Sequence, residues 1–253
     1  MTIRVVGETY KQVEFLPPQA KGESNALQKE TFRAGGSGVI VDAGNGYILT
    51  NNHVIENATR IEVGLSDGRR MLARLVGRDI GTDVAVVKVE ETNLPSLAVG
   101  NSDEVRVGDV IMAVGNPFGL EGTATLGIVS ALMRNEVGHE AFEDFMQIDA
   151  QINPGNSGGA LVNIKGELVG INTAVAGGPD RNVGIGFAIP INMAKVVKGE
   201  LIAHGRMRRG SLGLLVEDLA PEAAPASMIG PKRGAVITRI ISNSPGEKAG
   251  LKP

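Results

Sequence analysis

Cysteine is absent from the 253 residues, which removes disulfide scaffolds, thiolate metal sites, iron–sulfur clusters and cysteine nucleophiles before any motif is read. Tryptophan is absent too, and aromatic residues make up only 3% of the chain, too few for a platform on which nucleic-acid bases would stack. Neither sign of charge dominates. The 25 Lys and Arg against 28 Asp and Glu leave a net charge of -3, without the basic footprint of a nucleic-acid partner. Apolar stretches such as 84–87 and 109–115 fall far short of the roughly 18 residues a membrane-spanning helix needs, so a soluble chain is expected. Residues 1–20 carry Arg4, Glu8, Lys11 and Glu14 and no apolar leader core, so the chain reads either as cytosolic or as lacking its leader.

Glycine is abundant instead, 35 residues, and implies many tight turns. Between the glycines recur short runs rich in Val and Ile, which suit half-buried strands: 37–41, 47–50, 60–65, 71–77, 84–89, 110–114, 123–131, 146–149, 160–162, 168–171 and 186–189. Turn signals such as Gly44-Asn45-Gly46 and Ser66-Asp67-Gly68 separate them, and no helical period intervenes, so the fold class is all-β, a sandwich or paired barrels. Residues 17–31, opening with Pro17-Pro18 and then mostly polar, read as a mobile loop. Residues 192–204 form the one clear helix, with Asn192 as its cap, an apolar stripe of Met193, Val196, Val197, Leu201 and Ile202, and Gly205 as its stop. A basic hinge at 206–210 leads into a short separate piece with strands at 212–216 and 235–241.

Chemistry concentrates at Gly155-Asn156-Ser157-Gly158-Gly159. A serine between glycines suits a tight turn whose backbone N–H groups converge on one point, as an oxyanion hole requires. Strands follow Ser157, and His and Asp candidates lie upstream, which disfavours the strand–serine–helix elbow of the α/β-hydrolases. Those candidates are His53, at the end of a strand in Asn51-Asn52-His53-Val54, and Asp83, which opens the apolar run Val84-Ala85-Val86-Val87. A Ser157 hydroxyl needs a base, a neutral imidazole at His53 supplies one, and the Asp83 carboxylate would fix its tautomer. His139, His204, Asp79 and Asp149 compete for these roles. Their simpler readings are loop surface, a cation at a helix end, a turn carboxylate and a strand-edge carboxylate. Spacing alone leaves the triad about evenly balanced against those readings.

Six segments, Gly36-Ser37-Gly38-Val39-Ile40, Thr50-Asn51-Asn52-His53-Val54-Ile55, Thr82-Asp83-Val84-Ala85-Val86, Val114-Gly115-Asn116-Pro117-Phe118-Gly119, Gly155-Asn156-Ser157-Gly158-Gly159-Ala160-Leu161 and Gly184-Ile185-Gly186-Phe187-Ala188-Ile189-Pro190, stand in this order along the chain. Taken together they resemble the HtrA/Deg serine proteases, nearest to their bacterial DegP/DegQ branch. The resemblance runs from about residue 34 to 210, and residues 1–12 match least. It implies a chymotrypsin-like double six-stranded β-barrel: residues 1–33 as an N-terminal strand and flexible loop, 34–120 as the first barrel with His53 and Asp83, and 121–205 as the second with Ser157 and the closing helix. Residues 206–253 resemble the beginning of a PDZ module that stops about half-way. By the same resemblance Gly155, Asn156 and Ser157 form the oxyanion hole, Ile152, Val175 and Ile185 line a pocket for small or medium aliphatic side chains, and Arg134 helps switch the site on. The implied activity is cofactor-free, ATP-independent endoproteolysis of unfolded or misfolded proteins in the bacterial periplasm, by a trimer or multiples of it. A latent protease acting mainly as a chaperone, and a narrow regulatory protease, are the rival readings.

Overall fold

The computed structural model describes residues 1–13, 26–91, 93–116, 122–135, 142–175, 184–219 and 234–253. Strands β1 (Thr2–Val13) and β2 (Ala26–Ser37) pair antiparallel over twelve residues, from Thr2 opposite Ser37 to Val13 opposite Ala26. Residues 26–31, read from sequence as loop, are therefore strand. Main-chain pairing with β1 holds them, and such pairing leaves no period-two signature in a mostly polar run.

After Gly38 come β3 (Val39–Asp42), β4 (Tyr47–Asn51), the single helical turn α1 (Asn52–Ile55), β5 (Ala58–Gly64), β6 (Arg70–Asp79) and β7 (Val84–Lys88). Together with the hairpin they make a seven-stranded sheet in the order β2-β1-β5-β6-β7-β4-β3. Its two edge strands are joined through Gly38 alone, so the sheet curls round on itself without closing. The first half is thus a curled seven-stranded sheet where a closed six-stranded barrel was expected, because β1 and β2 extend it. Strand β7 is buried on both faces: Val84 and Val86 enter the core shared with the second half, while Ala85 and Val87 enter the first sheet's own core. That explains its unbroken apolar sequence, since neither face needs polar residues.

The second half is a closed six-stranded barrel, β10-β13-β12-β11-β8-β9, built from β8 (Val110–Gly115), β9 (Thr123–Arg134), β10 (Phe145–Ile148), β11 (Ala160–Asn163), β12 (Leu168–Val175) and β13 (Gly186–Pro190). Strand β8 belongs here because it pairs along its whole length with β9, so the boundary expected at 120 falls inside this barrel's first hairpin.

Helix α2 (Ile191–His204) presents Ile191, Ala194, Val197 and Leu201 to the core that both halves share. It stops at Gly205, whose φ of 71° is left-handed and whose N–H donates to the Leu201 carbonyl at 2.9 Å. Asn192 is not the cap. The cap position is Pro190, and Asn192 is drawn to tertiary partners, its main-chain N–H donating to Ser102 Oγ at 3.1 Å and its side chain to Asn101 Oδ1 at 2.6 Å. Both halves and α2 form one compact unit, Met1–Met207. A second unit, Arg208–Pro253, holds the hairpin of β14 (Leu214–Asp218) and β15 (Ala235–Ile240) and the turn α3 (Pro245–Lys248), capped by Ser244. Among the described residues no helix is long and apolar enough to cross a membrane.

Helix α2 also ties the halves together at Gly77 of β6, where an added Cβ would lie 2.6 Å from the Gly205 carbonyl oxygen. Gly77→Ala is expected to cost about 1–3 kcal/mol in urea unfolding by forcing the helix end away. Gly199→Ala, on the same helix with open space around it, should be neutral or stabilising.

Candidate active site

The site is built on a buried carboxylate. Asp83 follows a 3-10 turn, Ile80–Thr82, with φ 55°, and only 3% of its surface is exposed. A left-handed φ is unusual for any residue but glycine and marks a position held by its surroundings. Asp83 Oδ1 accepts the main-chain N–H of His53 at 2.9 Å, and Oδ2 lies 2.7 Å from the His53 ring Nδ1. The Asp83 carbonyl accepts Asn52 N–H and the Asn51 side-chain amide, both at 3.0 Å. Three consecutive residues, Asn51, Asn52 and His53, thus hold one aspartate from both ends, and this is why His53 sits in the α1 turn rather than at the strand end. An ionised carboxylate can only accept, so Nδ1 carries the ring proton and the basic lone pair falls on Nε2. The ring is 47% exposed while its carboxylate partner is buried.

Thr173, on β12, joins this pair to the serine. Its hydroxyl donates to Asp83 Oδ2 at 2.7 Å, and its carbonyl accepts the Ser157 hydroxyl at 3.0 Å. Ser37, the last residue of β2, fastens the serine loop from the other half. Its N–H donates to the Ser157 carbonyl at 2.8 Å, its hydroxyl donates to the Gly155 carbonyl at 2.7 Å, and that same Oγ accepts Asn116 N–H. Close approach explains the paired glycines after the serine: at Gly158, with φ 82°, a Cβ would lie 2.2 Å from the Ser37 carbonyl oxygen, and at Gly159 2.2 Å from that of Val114.

Within the loop, Asn156 N–H closes a turn onto the Asn153 carbonyl at 2.9 Å and is unavailable to a ligand. Among the described residues the N–H groups of Gly155, with φ 101°, and of Ser157 have no partner. Of the three residues expected at the oxyanion hole, two offer a free donor and the middle one braces the turn.

Residues 36–171 match the model of the trypsin-like peptidase domain, more than half of the chain. The chain is 48% identical over 233 residues to the periplasmic serine endoprotease DegP of Escherichia coli K12, covering 92% of this chain and 49% of that protein. It is 46% identical over 235 residues to a probable periplasmic DegP-like endoprotease of Chlamydia muridarum, covering 93% and 47%. Among solved structures, the HtrA-type protease AlgW with a decapeptide superposes with a TM-score of 0.75 at 42% identity, covering all of this chain and 79% of that one. The chain belongs to the HtrA-type family of trypsin-like serine proteases. It spans about half the length of these curated relatives. The double-barrel fold expected from the HtrA resemblance is the fold observed, with the first half open rather than closed.

The competing residues of this HtrA-type chain lie apart from that cluster. Asp79 accepts the Thr82 hydroxyl at 2.6 Å within its own turn, Asp149 accepts Ile128 N–H at 2.6 Å, and His204 ends α2. His139 lies outside the described residues. Of the expected pocket residues, Ile152 is buried in the second barrel's core, with its Cγ1 2.8 Å from where a Cβ on Gly186 would stand, and Ile185 is half-buried against the shared core. Val175 ends β12, with its backbone opposite Gly186. Its side chain lies outside the described residues. Arg134 ends β9 and donates from Nε to Gln147 Oε1 at 2.9 Å. Asp144, whose carboxyl is pushed up by burial and by the charge of Asp103, is not part of the cluster. Among the described residues no three His, Cys, Asp or Glu side chains are grouped to hold a metal.

Sequence reasoning missed Thr173 and assigned no role to Ser37. Thr173→Val should cost about 1.5–3 kcal/mol in urea unfolding at pH 7, because a buried charged acceptor loses a donor, whereas Thr173→Ser should lose under 1 kcal/mol.

Proposed function

We propose that this chain is a serine endopeptidase acting through an acyl-enzyme, with Ser157 as nucleophile, His53 as general base and then acid, and Asp83 as the group that orients and stabilises the imidazolium. The observation that carries this reading is the clamp of Asp83 on His53 through both ring Nδ1 and main-chain N–H. It leaves the ring one tautomer and one orientation, which is what a base must have before substrate arrives.

In the first step the Ser157 hydroxyl proton leaves the Thr173 carbonyl for His53 Nε2 as Oγ attacks the scissile carbonyl carbon. The charge that develops on the substrate oxygen falls to the N–H groups of Gly155 and Ser157, donors already free and therefore costing no rearrangement. Their openness favours a working site over a latent one. His53 then gives its proton to the departing amine and water takes the amine's place; His53 accepts a proton from that water as it attacks the ester, and returns it to Ser157 Oγ as the ester bond breaks and the acid product leaves.

The apolar character of Ile152, Val175 and Ile185 favours substrates with a small or medium aliphatic residue before the scissile bond, and an arginine or lysine there would lack a countercharge. Unfolded protein chains are the substrate class, since the scissile segment must be extended to enter a cleft between two β-structures. The relatives named as periplasmic endoproteases support a periplasmic setting, where degradation of unfolded chains would serve protein quality control.

The test is cleavage of a reduced, unfolded protein by wild type and by Ser157→Ala, with products identified by mass. Wild type should cut after Val, Ala or Leu, and the variant should lose at least about a thousandfold in rate. Residual cutting within tenfold of wild type would remove Ser157 from the role given to it. In wild type, kcat/KM should fall about tenfold per pH unit on the acid side of its profile, where protonation of His53 removes the base. A profile flat from pH 5 to 8 would count against His53.

A further inference from the structure

A cavity of about 560 Å³ opens beside the Gly155 end of the serine loop, walled on its other side by β1, β2 and β5. Residues directly opposite one another in an antiparallel ladder share a face of the sheet. Arg4 stands opposite Gly35 on β2 and Glu62 on β5, and Val6 stands opposite Arg33 and Arg60. Ile3 and Val5 point the other way, into the core, at 0% and 2% exposure. The outer face at this cavity therefore carries three guanidinium groups and one carboxylate.

One carboxylate cannot offset all three. Glu62 forms ion pairs at 3.9 Å with both Arg4 and Arg60, and Arg33 makes none among the described residues. A formal surplus of two positive charges lines a concave surface, where a negative group would be attracted more strongly than on open surface. Gly35 leaves room in the middle: a Cβ there would meet nothing nearer than 3.4 Å, so the space is kept by the missing side chain and not by crowding.

The cavity's place relative to Ser157 gives its use. Gly35 and Gly36 lead directly into Ser37, whose N–H holds the Ser157 carbonyl, and Gly155 supplies the facing wall. None of Ile152, Val175 and Ile185, the residues proposed for the aliphatic pocket, is among the described residues that line this cavity. With the acyl side of a substrate in that pocket and its carbonyl oxygen at the Gly155 N–H, the arginine-lined space beyond Gly155 is open to the leaving-group side.

We propose that this cavity is a subsite for acidic side chains on the leaving-group side of the scissile bond, so that the protease prefers Glu or Asp two or three residues beyond the cut. The proposal rests on the endopeptidase reading given above. Its charged residues, Arg4, Arg33 and Arg60, are not among those that do the chemistry.

The test compares quenched fluorescent peptides with Val before the scissile bond and Glu, Gln or Lys at the second and third positions after it, all with the full chain. At low salt kcat/KM should be about tenfold higher for Glu than for Gln and lower again for Lys, and 0.5 M NaCl should narrow the spread. Arg33→Glu/Arg60→Glu should reverse the order of Glu and Lys, and the milder Arg33→Gln, at an exposed position, should cut the Glu to Gln ratio to about threefold. In parallel, the Ser157→Ala protein is titrated with the same peptides by fluorescence anisotropy, where Glu should bind about tenfold more tightly than Gln. Equal affinities in that titration, or a Glu preference that the arginine substitutions leave in place, overturn the subsite. Selective binding without any Ser157-dependent cleavage overturns the endopeptidase reading and upholds the subsite.

Discussion

Everything in this site depends on keeping one carboxylate charged inside the protein. Removing Asp83 from water is costly unless its oxygens receive hydrogen bonds, and the fold supplies three: His53 N–H, His53 Nδ1–H and the Thr173 hydroxyl. Each donor comes with a consequence. Those from His53 fix a ring in place, and the one from Thr173 carries the tie across from the first sheet to the second barrel. Satisfying the charge and aligning the base are therefore the same set of contacts, and the left-handed φ of Asp83 is tolerated because so many bonds hold it.

The same economy shapes the junction between the halves. An apolar core shared by β3, β4, β7, the second barrel and α2 provides the adhesion. Beside it runs a buried polar layer of Ser37, Thr50, Asn51, Asn116, Asn156, Asn172 and Thr173, which sets the register of one half against the other. Apolar contacts alone would let the halves slide; a carbonyl and hydroxyl paired at 2.7 Å, as between Gly155 and Ser37, would not survive a shift of an ångström. The layer has a cost. Asn51, Asn116, Asn156 and Asn172 each bury a side-chain oxygen without a partner among the described residues, at about 1–3 kcal/mol apiece. Stability is given up where the site is assembled, and the apolar core beneath it makes up the difference.

How much of this could be read from sequence follows from the range of each interaction. Strands bounded by glycine turns and filled with Val and Ile, such as residues 84–88 and 168–171, were legible because burial writes itself into local composition. The glycines around Ser157 were legible as a turn, but that Gly158 must clear Ser37 and Thr50 was not, since those partners are far away in the chain. Thr173 lies 90 residues from Asp83, and Ser37 lies 118 from Gly155, and nothing in their own neighbourhoods distinguishes them from ordinary strand residues. The β1–β2 pairing escaped for a different reason: its outer half is mostly polar and is held by main-chain bonds that any sequence can make. His53 in a helical turn escaped because a four-residue turn has no period to detect.

Net charge shows the limit of composition most clearly. A chain at -3 gives no hint of an arginine-lined cavity, because composition sums over a surface whereas a bound group feels only the charges within about a Debye length, roughly 8–10 Å. Three separate segments, each unremarkable in charge, bring Arg4, Arg33 and Arg60 to one face only through the pairing of β2, β1 and β5. The topology that curls the first sheet therefore does two things at once. It carries Ser37 to the serine loop, and it delivers the surplus positive charge to the space just beyond. A selectivity arising this way would be set by strand register: a one-residue slip of β2 against β1 would turn Arg33 toward the core and abolish the cluster while leaving the composition unchanged.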